Sequence, residues 1–129
     1  MRQFHLVKND SADIGFATTC LIGGIITFSE FKDWLYFVIE NTDEVPNYFF
    51  DILDIDEKFD YTLRTVNYLG FHPSWDASEV ELLALDGIAF LRFHDHQTDA
   101  SQREGATSAL RSNPHVEERF RETFPFIEF

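Results

Sequence analysis

His94-Asp95-His96 is the one run in this chain of 129 residues that gathers metal-ligand types. If residues 88–96 continue as a strand, both imidazoles project to one side, and Asp99, His72 or His115 is available to complete a site. No third ligand stands at a diagnostic spacing, so the same residues also describe solvated histidines just past a strand end. Cys20 lies in an apolar helical stretch with no sequence neighbour to act as its base, which makes it a core thiol rather than a nucleophile. There is no G-x-S-x-G. Gly23-Gly24 lacks the Lys-Ser/Thr that a phosphate loop requires and reads as a helix stop. Gly24–Phe31 has the pattern that leaves a calcium-binding helix–loop–helix, but the alternating Asp/Asn ligands before it are missing. The reading is no enzyme, no catalytic residue, no metal and no cofactor. A small metal-dependent enzyme built on His94 and His96 stands as the most distant alternative.

The carboxylates carry the stronger signal. Asp and Glu number 23 against 10 Lys and Arg, giving a formal net charge of −13 and a pI near 4.5. Such a surface repels phosphate backbones, so direct nucleic-acid binding is disfavoured, whereas a basic protein is attracted and steered. From Glu30 to Asp60 there are 10 acids and two bases, Lys32 and Lys58, a net −8. Like charges three or four residues apart on a helix repel, so stability alone would favour interspersed bases. Tyr36, Phe37, Tyr48, Phe49 and Phe50 lie among these acids. A carboxylate ring around an aromatic anchor is what recognition of a Lys/Arg-rich surface calls for. Asp43, Glu44, Asp51, Asp54, Asp56, Glu57 and Asp60 would supply the field, with Tyr48, Phe50 and Trp75 as anchors. A solvated acidic face is the other reading of the same run, and both stand at this point.

The elements that must position these groups are mainly helical. Ser11 can cap a helix over 12–22, with Ile14, Ala17 and Leu21 on one face and Gly23 as its stop. Phe28, Phe31, Trp34, Leu35, Val38 and Ile39 recur at helical spacing and predict a helix over 29–41, capped by Ser29. Pro46 suits the first turn of a helix over 46–54, with Phe49, Ile52 and Leu53 inside. The next helix is predicted over 57–69, with Phe59, Leu63, Val66 and Leu69 inside and Gly70 closing it. Ser78 and Glu81 form a capping box for a short helix ending at Leu85. Asp86-Gly87 then makes a turn, and Ile88 to Phe93 is the best strand candidate; residues 2–8 offer an edge strand. Residues 97–112 read as a loop or weak helix, and 114–123 as a last helix after an Asn113 cap. Phe120 and Phe124 anchor that helix, and the aromatic tail docks back. The expectation is one domain over 1–129, mainly α (α+β), a compact helical body with a small β component.

One cysteine cannot form an internal disulfide, and the uncharged run from Ile14 to Ser29 is short of a membrane span. A signal peptide needs a basic start and a small-residue cleavage site, whereas Asp10 and Asp13 precede that run and Gly23, Gly24 and Thr27 break it up or follow it. A cytoplasmic protein with no membrane partner is expected.

Two stretches are similar to a known family when taken together. The first runs from Phe31-Lys32-Asp33-Trp34-Leu35-Tyr36-Phe37-Val38-Ile39-Glu40-Asn41 on through Val45-Pro46-Asn47-Tyr48-Phe49-Phe50-Asp51-Ile52-Leu53-Asp54. The second is Gly70-Phe71-His72-Pro73-Ser74-Trp75 with Glu81, Ala84, Leu85 and Gly87-Ile88-Ala89-Phe90-Leu91-Arg92. Over residues 20–93 the chain resembles small bacterial immunity proteins, including those of contact-dependent growth inhibition systems. That resemblance implies a toxin inhibitor, paired with a toxin as in toxin–antitoxin systems. Such a protein binds the toxic C-terminal domain of a secreted effector, often a nuclease, without catalysis or cofactor. It carries over no contact residues; those named above rest on charge alone. An acidic adaptor or regulatory module for some other basic protein is the alternative.

Overall fold

The computed structural model describes residues 3–93, 95, 96 and 102–129. Among them the chain forms two compact units. One comprises Met1–Ile22 with Thr27–Trp75, the other Gly23–Ile26 with Asp76–Phe129.

The first unit holds five helices: α1 (Ala12–Ile22), α2 (Phe28–Glu40), α3 (Tyr48–Leu53), α4 (Lys58–Thr62) and α5 (Thr65–Leu69). α1 is apolar on nearly every side, with Ile14, Phe16, Ala17, Thr18, Cys20 and Leu21 all buried. Such a helix suits the inside of a core rather than its edge. Gly15 permits the chain at Ser74–Trp75 to lie directly on α1, where an added Cβ would come within 2.5 Å of the Ser74 carbonyl carbon. α2 carries the predicted stripe, and Phe31, Trp34, Leu35 and Val38 are buried. Its cap is Thr27 rather than Ser29. Thr27 Oγ1 accepts the Glu30 N–H at 3.1 Å, while the Thr27 N–H donates to Glu30 Oε1 at 2.8 Å. The reciprocal T-x-x-E pair satisfies two end donors at once, which decides the start of the helix.

A chain of rings joins α2 to its neighbours. Phe31 lies 5.9 Å from Trp34 and 5.2 Å from Tyr61, and Trp34 lies 6.0 Å from Phe49. Tyr61 is fully buried and shares a hydrogen bond of 2.9 Å with the Thr18 hydroxyl. Here the structure departs from the single helix predicted over 57–69. The segment is two short helices hinged at Arg64 (φ −130°, ψ 27°), and Phe59, Leu63 and Val66 are exposed. Only Leu69 of the predicted stripe is buried. Gly70 closes α5 in the left-handed region at φ 83°, as its position predicts.

The second unit holds α6 (Glu79–Arg92), α7 (Gln102–Ser112) and α8 (Pro114–Thr123). The Ser78–Glu81 capping box is present, with bonds of 3.2 and 3.0 Å. The helix it opens does not stop at Leu85. It runs through Asp86-Gly87 to Arg92, so the strand predicted over 88–93 is its second half. Ile88-Ala89-Phe90-Leu91 is an apolar run too short for its periodicity to separate strand from buried helix. Gly87 serves contact rather than a turn: a Cβ there would meet the Ala106 carbonyl oxygen of α7 at 2.6 Å. Arg92 Nη1 donates to the Ile25 carbonyl at 2.6 Å. α8 begins at Pro114 as expected, and Phe124 and Ile127 are buried as the tail folds back. The edge strand expected near the start is only an isolated bridge between Val7 and Asp10, and the described residues form no sheet. The fold is thus mainly helical, and the small β component has no counterpart among the described residues. No helix among them is long and apolar enough to cross a membrane.

The Thr18–Tyr61 bond sets the first prediction. Thr18→Val leaves a buried phenol unsatisfied and should destabilise by about 1–3 kcal/mol in urea unfolding. Adding Tyr61→Phe should recover part of that loss, because both partners are then apolar. Strictly additive costs would show that the bond does not hold α4 in place.

Candidate partner-binding surface

Tyr61 determines what α4 presents to solvent. A helix turns by about 100° per residue, so the side chains two positions either way point nearly opposite. With Tyr61 inside, Phe59 and Leu63 must face out; they are 59% and 81% exposed. Both border an open groove of about 670 Å³ formed by the end of α3, the turn after it, α4 and α5. Asp51, Asp54, Asp56, Glu57 and Asp60 line it, together with Ile55, Arg64 and Tyr68.

The five carboxylates are not equivalent. Asp60 is engaged from two sides: the Tyr68 hydroxyl donates to it at 2.9 Å, and Arg64 Nη1 lies 3.7 Å away. Asp51, Asp54, Asp56 and Glu57 have no ion pair or hydrogen-bonded side chain among the described residues and face water. Of the two bases in the acidic run, Lys32 points its ammonium at the Ile55 carbonyl and over the Phe28 ring, 5.0 Å from its centroid. That lysine fixes the turn after α3 and does not line the groove. Four carboxylates therefore stand around one guanidinium that Asp60 already occupies. The Asp60 carboxylate raises the Tyr68 phenol above its ordinary value of 10, first through the hydrogen bond and further through its charge.

The structure sorts the ten residues proposed from sequence. Asp51, Asp54, Asp56, Glu57 and Asp60 come together in the groove. Asp43 and Glu44 are exposed on the α2–α3 loop and do not line it. Phe50 is 54% exposed on α3, next to Asp51 in sequence. Tyr48 cannot be an anchor. It is only 7% exposed, its hydroxyl donates to the Leu6 carbonyl at 2.7 Å, and burial pushes its phenol far up. Trp75 is half-buried with its ring perpendicular to Phe16 at 4.7 Å, away from the acidic groove. The exposed apolar side chains beside these acids are Phe59 and Leu63, which the sequence reading placed inside. The signal that could have found them is Tyr61 with Tyr68, seven residues apart and 6.2 Å between rings. Tyr61 of that pair faces the core, in competition with the Phe59–Leu63–Val66 stripe.

The histidine reading gains no support. His94 lies outside the described residues, as does Asp99. His96 stands edge-on to Phe90 at 5.0 Å, with Nε2 at 3.3 Å from Asp86 Oδ1. His115 Nε2 is 2.9 Å from Glu81 Oε2, and His72 is exposed in the first unit. No group of three or more metal-ligating side chains is assembled among the described residues.

A titration reads the groove directly. The phenolate absorbance of the intact protein minus that of Tyr68→Phe should rise with a midpoint above pH 10. The sign is that of an acid held in its neutral form: the Tyr68–Asp60 bond is intact below the ordinary phenol value and is lost as pH climbs through the raised one. A midpoint at or below 10 would contradict the bond. In comparisons with protein-family models, curated proteins and solved structures, the chain has no match.

Proposed function

We propose that this protein is a bacterial immunity protein of a contact-dependent growth inhibition system. It acts in the cytoplasm, without catalysis or cofactor, by protein–protein interaction with the toxic C-terminal domain of the cognate effector, a basic nuclease domain. The observation that carries this reading is the set of four unpaired carboxylates around the exposed Phe59 and Leu63. A nuclease holds phosphates with a cationic track, and that track is complementary to this groove. The resemblance read in residues 20–93 belongs to the same proposal.

The chemistry divides between rate and lifetime. Exposed ion pairs contribute about 0–1 kcal/mol each, so the carboxylates act mainly by steering the encounter. Affinity then depends on apolar side chains that lose water on contact. A long-range field is screened beyond about 8–10 Å at physiological salt, which makes association salt-sensitive.

Co-expression with the toxin domain encoded directly upstream should restore growth and yield a copurifying complex. Reversing Asp51, Asp54 and Asp56 to Lys should slow association by about tenfold or more and flatten its salt dependence. Absence of both rescue and copurification would overturn the immunity reading. Unchanged association by the triple reversal would show that the toxin contacts another surface.

A further inference from the structure

Phe59 and Leu63 are four residues apart on one ridge of α4, with Leu63 still in helical conformation at φ −86° and ψ −13°. Both stand in solvent, bordered by Asp56 and Glu57 before the helix and by Asp51 and Asp54 on α3 and just after it. Two large apolar side chains side by side at a contact spacing form a small patch that a partner can cover. Three features of the molecule select the occupant. The described residues form no sheet, so there is no strand edge for an extended peptide to extend. An i, i+4 ridge is the surface into which a second helix packs its own grooves. The rim is anionic, and the chain as a whole carries −13, which sets a second copy of this chain against it.

We infer that the groove along α3–α5 receives an amphipathic helix of the partner, its apolar face on Phe59 and Leu63 and its flanks carrying Lys or Arg against Asp51, Asp54, Asp56 and Glu57. This deepens the immunity reading, on which it rests only for the source of that helix. Asp60 is a positioning residue: held by Tyr68 and Arg64, it ties α4 to α5 and keeps the ridge in place.

The test uses synthetic peptides with the full chain. One is helical, with leucine at every third or fourth position and lysine on both flanks. A second has the same composition with the leucines scattered round the helix, and a third replaces lysine by glutamate. The first should bind, with perturbed amide signals clustered on α3–α5, and the other two should not. Phe59→Ser with Leu63→Ser keeps every charge and should weaken binding of the first peptide by about tenfold or more, with an unchanged far-UV spectrum. Equal binding of the scattered peptide, or no loss in the double serine variant, would show mere charge attraction and overturn the inference. Peptide binding without growth rescue by the intact protein would support the groove while removing the immunity reading. Rescue by intact protein and double serine variant alike would do the reverse.

Discussion

Tyr61 is buried up to its hydroxyl, and the outward face of the acidic segment depends on that burial. Its ring packs on Phe31, and its oxygen meets Thr18 inside the core. A phenol costs free energy to bury without a partner, so Thr18 and Tyr61 are acceptable there only as a pair. Once the pair forms, helical geometry leaves no choice for Phe59 and Leu63. The break at Arg64 follows as well. It lets α5 bury Leu69 and lay the Tyr68 hydroxyl on Asp60, which one straight helix through 57–69 would not do from the same register.

Where one apolar stripe was unopposed, the sequence was readable. α2 has its stripe, its acidic outer face and a strong local cap, with its bounds shifted by one residue and its cap by two. α8 starts at its proline and α5 ends at its glycine, since both residues act through their own backbone. Reading failed where two patterns competed. At 57–69 both Phe59–Leu63–Val66 and Tyr61–Tyr68 have helical spacing, and only the tertiary partner at Thr18 selects between them. At 86–93 an Asp-Gly pair with an apolar run resembles a turn and strand. The reason for Gly87 is the close backbone of α7, which no local pattern shows. The candidate site was legible in its charge and not in its anchors. Five of seven proposed acids meet in one groove because they crowd into ten residues of sequence. Tyr48 is aromatic for the core, and the half-buried Trp75 packs on Phe16.

The groove has the chemistry of a contact surface. It is a negative rim around apolar side chains, where Asp51, Asp54, Asp56 and Glu57 face water while Lys32 points to the Ile55 carbonyl and Arg64 lies beside Asp60. The repulsion among these acids weakens the folded chain, and a cationic partner would relieve it on binding. That places the same residues on both sides of the balance, as a cost in the free protein and a gain in the complex.

Hydroxyl-radical footprinting of the free protein, and of its complex with the toxin domain proposed as its partner, bears on this most sharply. Phe59 and Leu63 should react readily in the free protein and be shielded in the complex, and Tyr61 should be spared in both states. Reactive Phe59 and Leu63 in a stable, neutralised complex would contradict it.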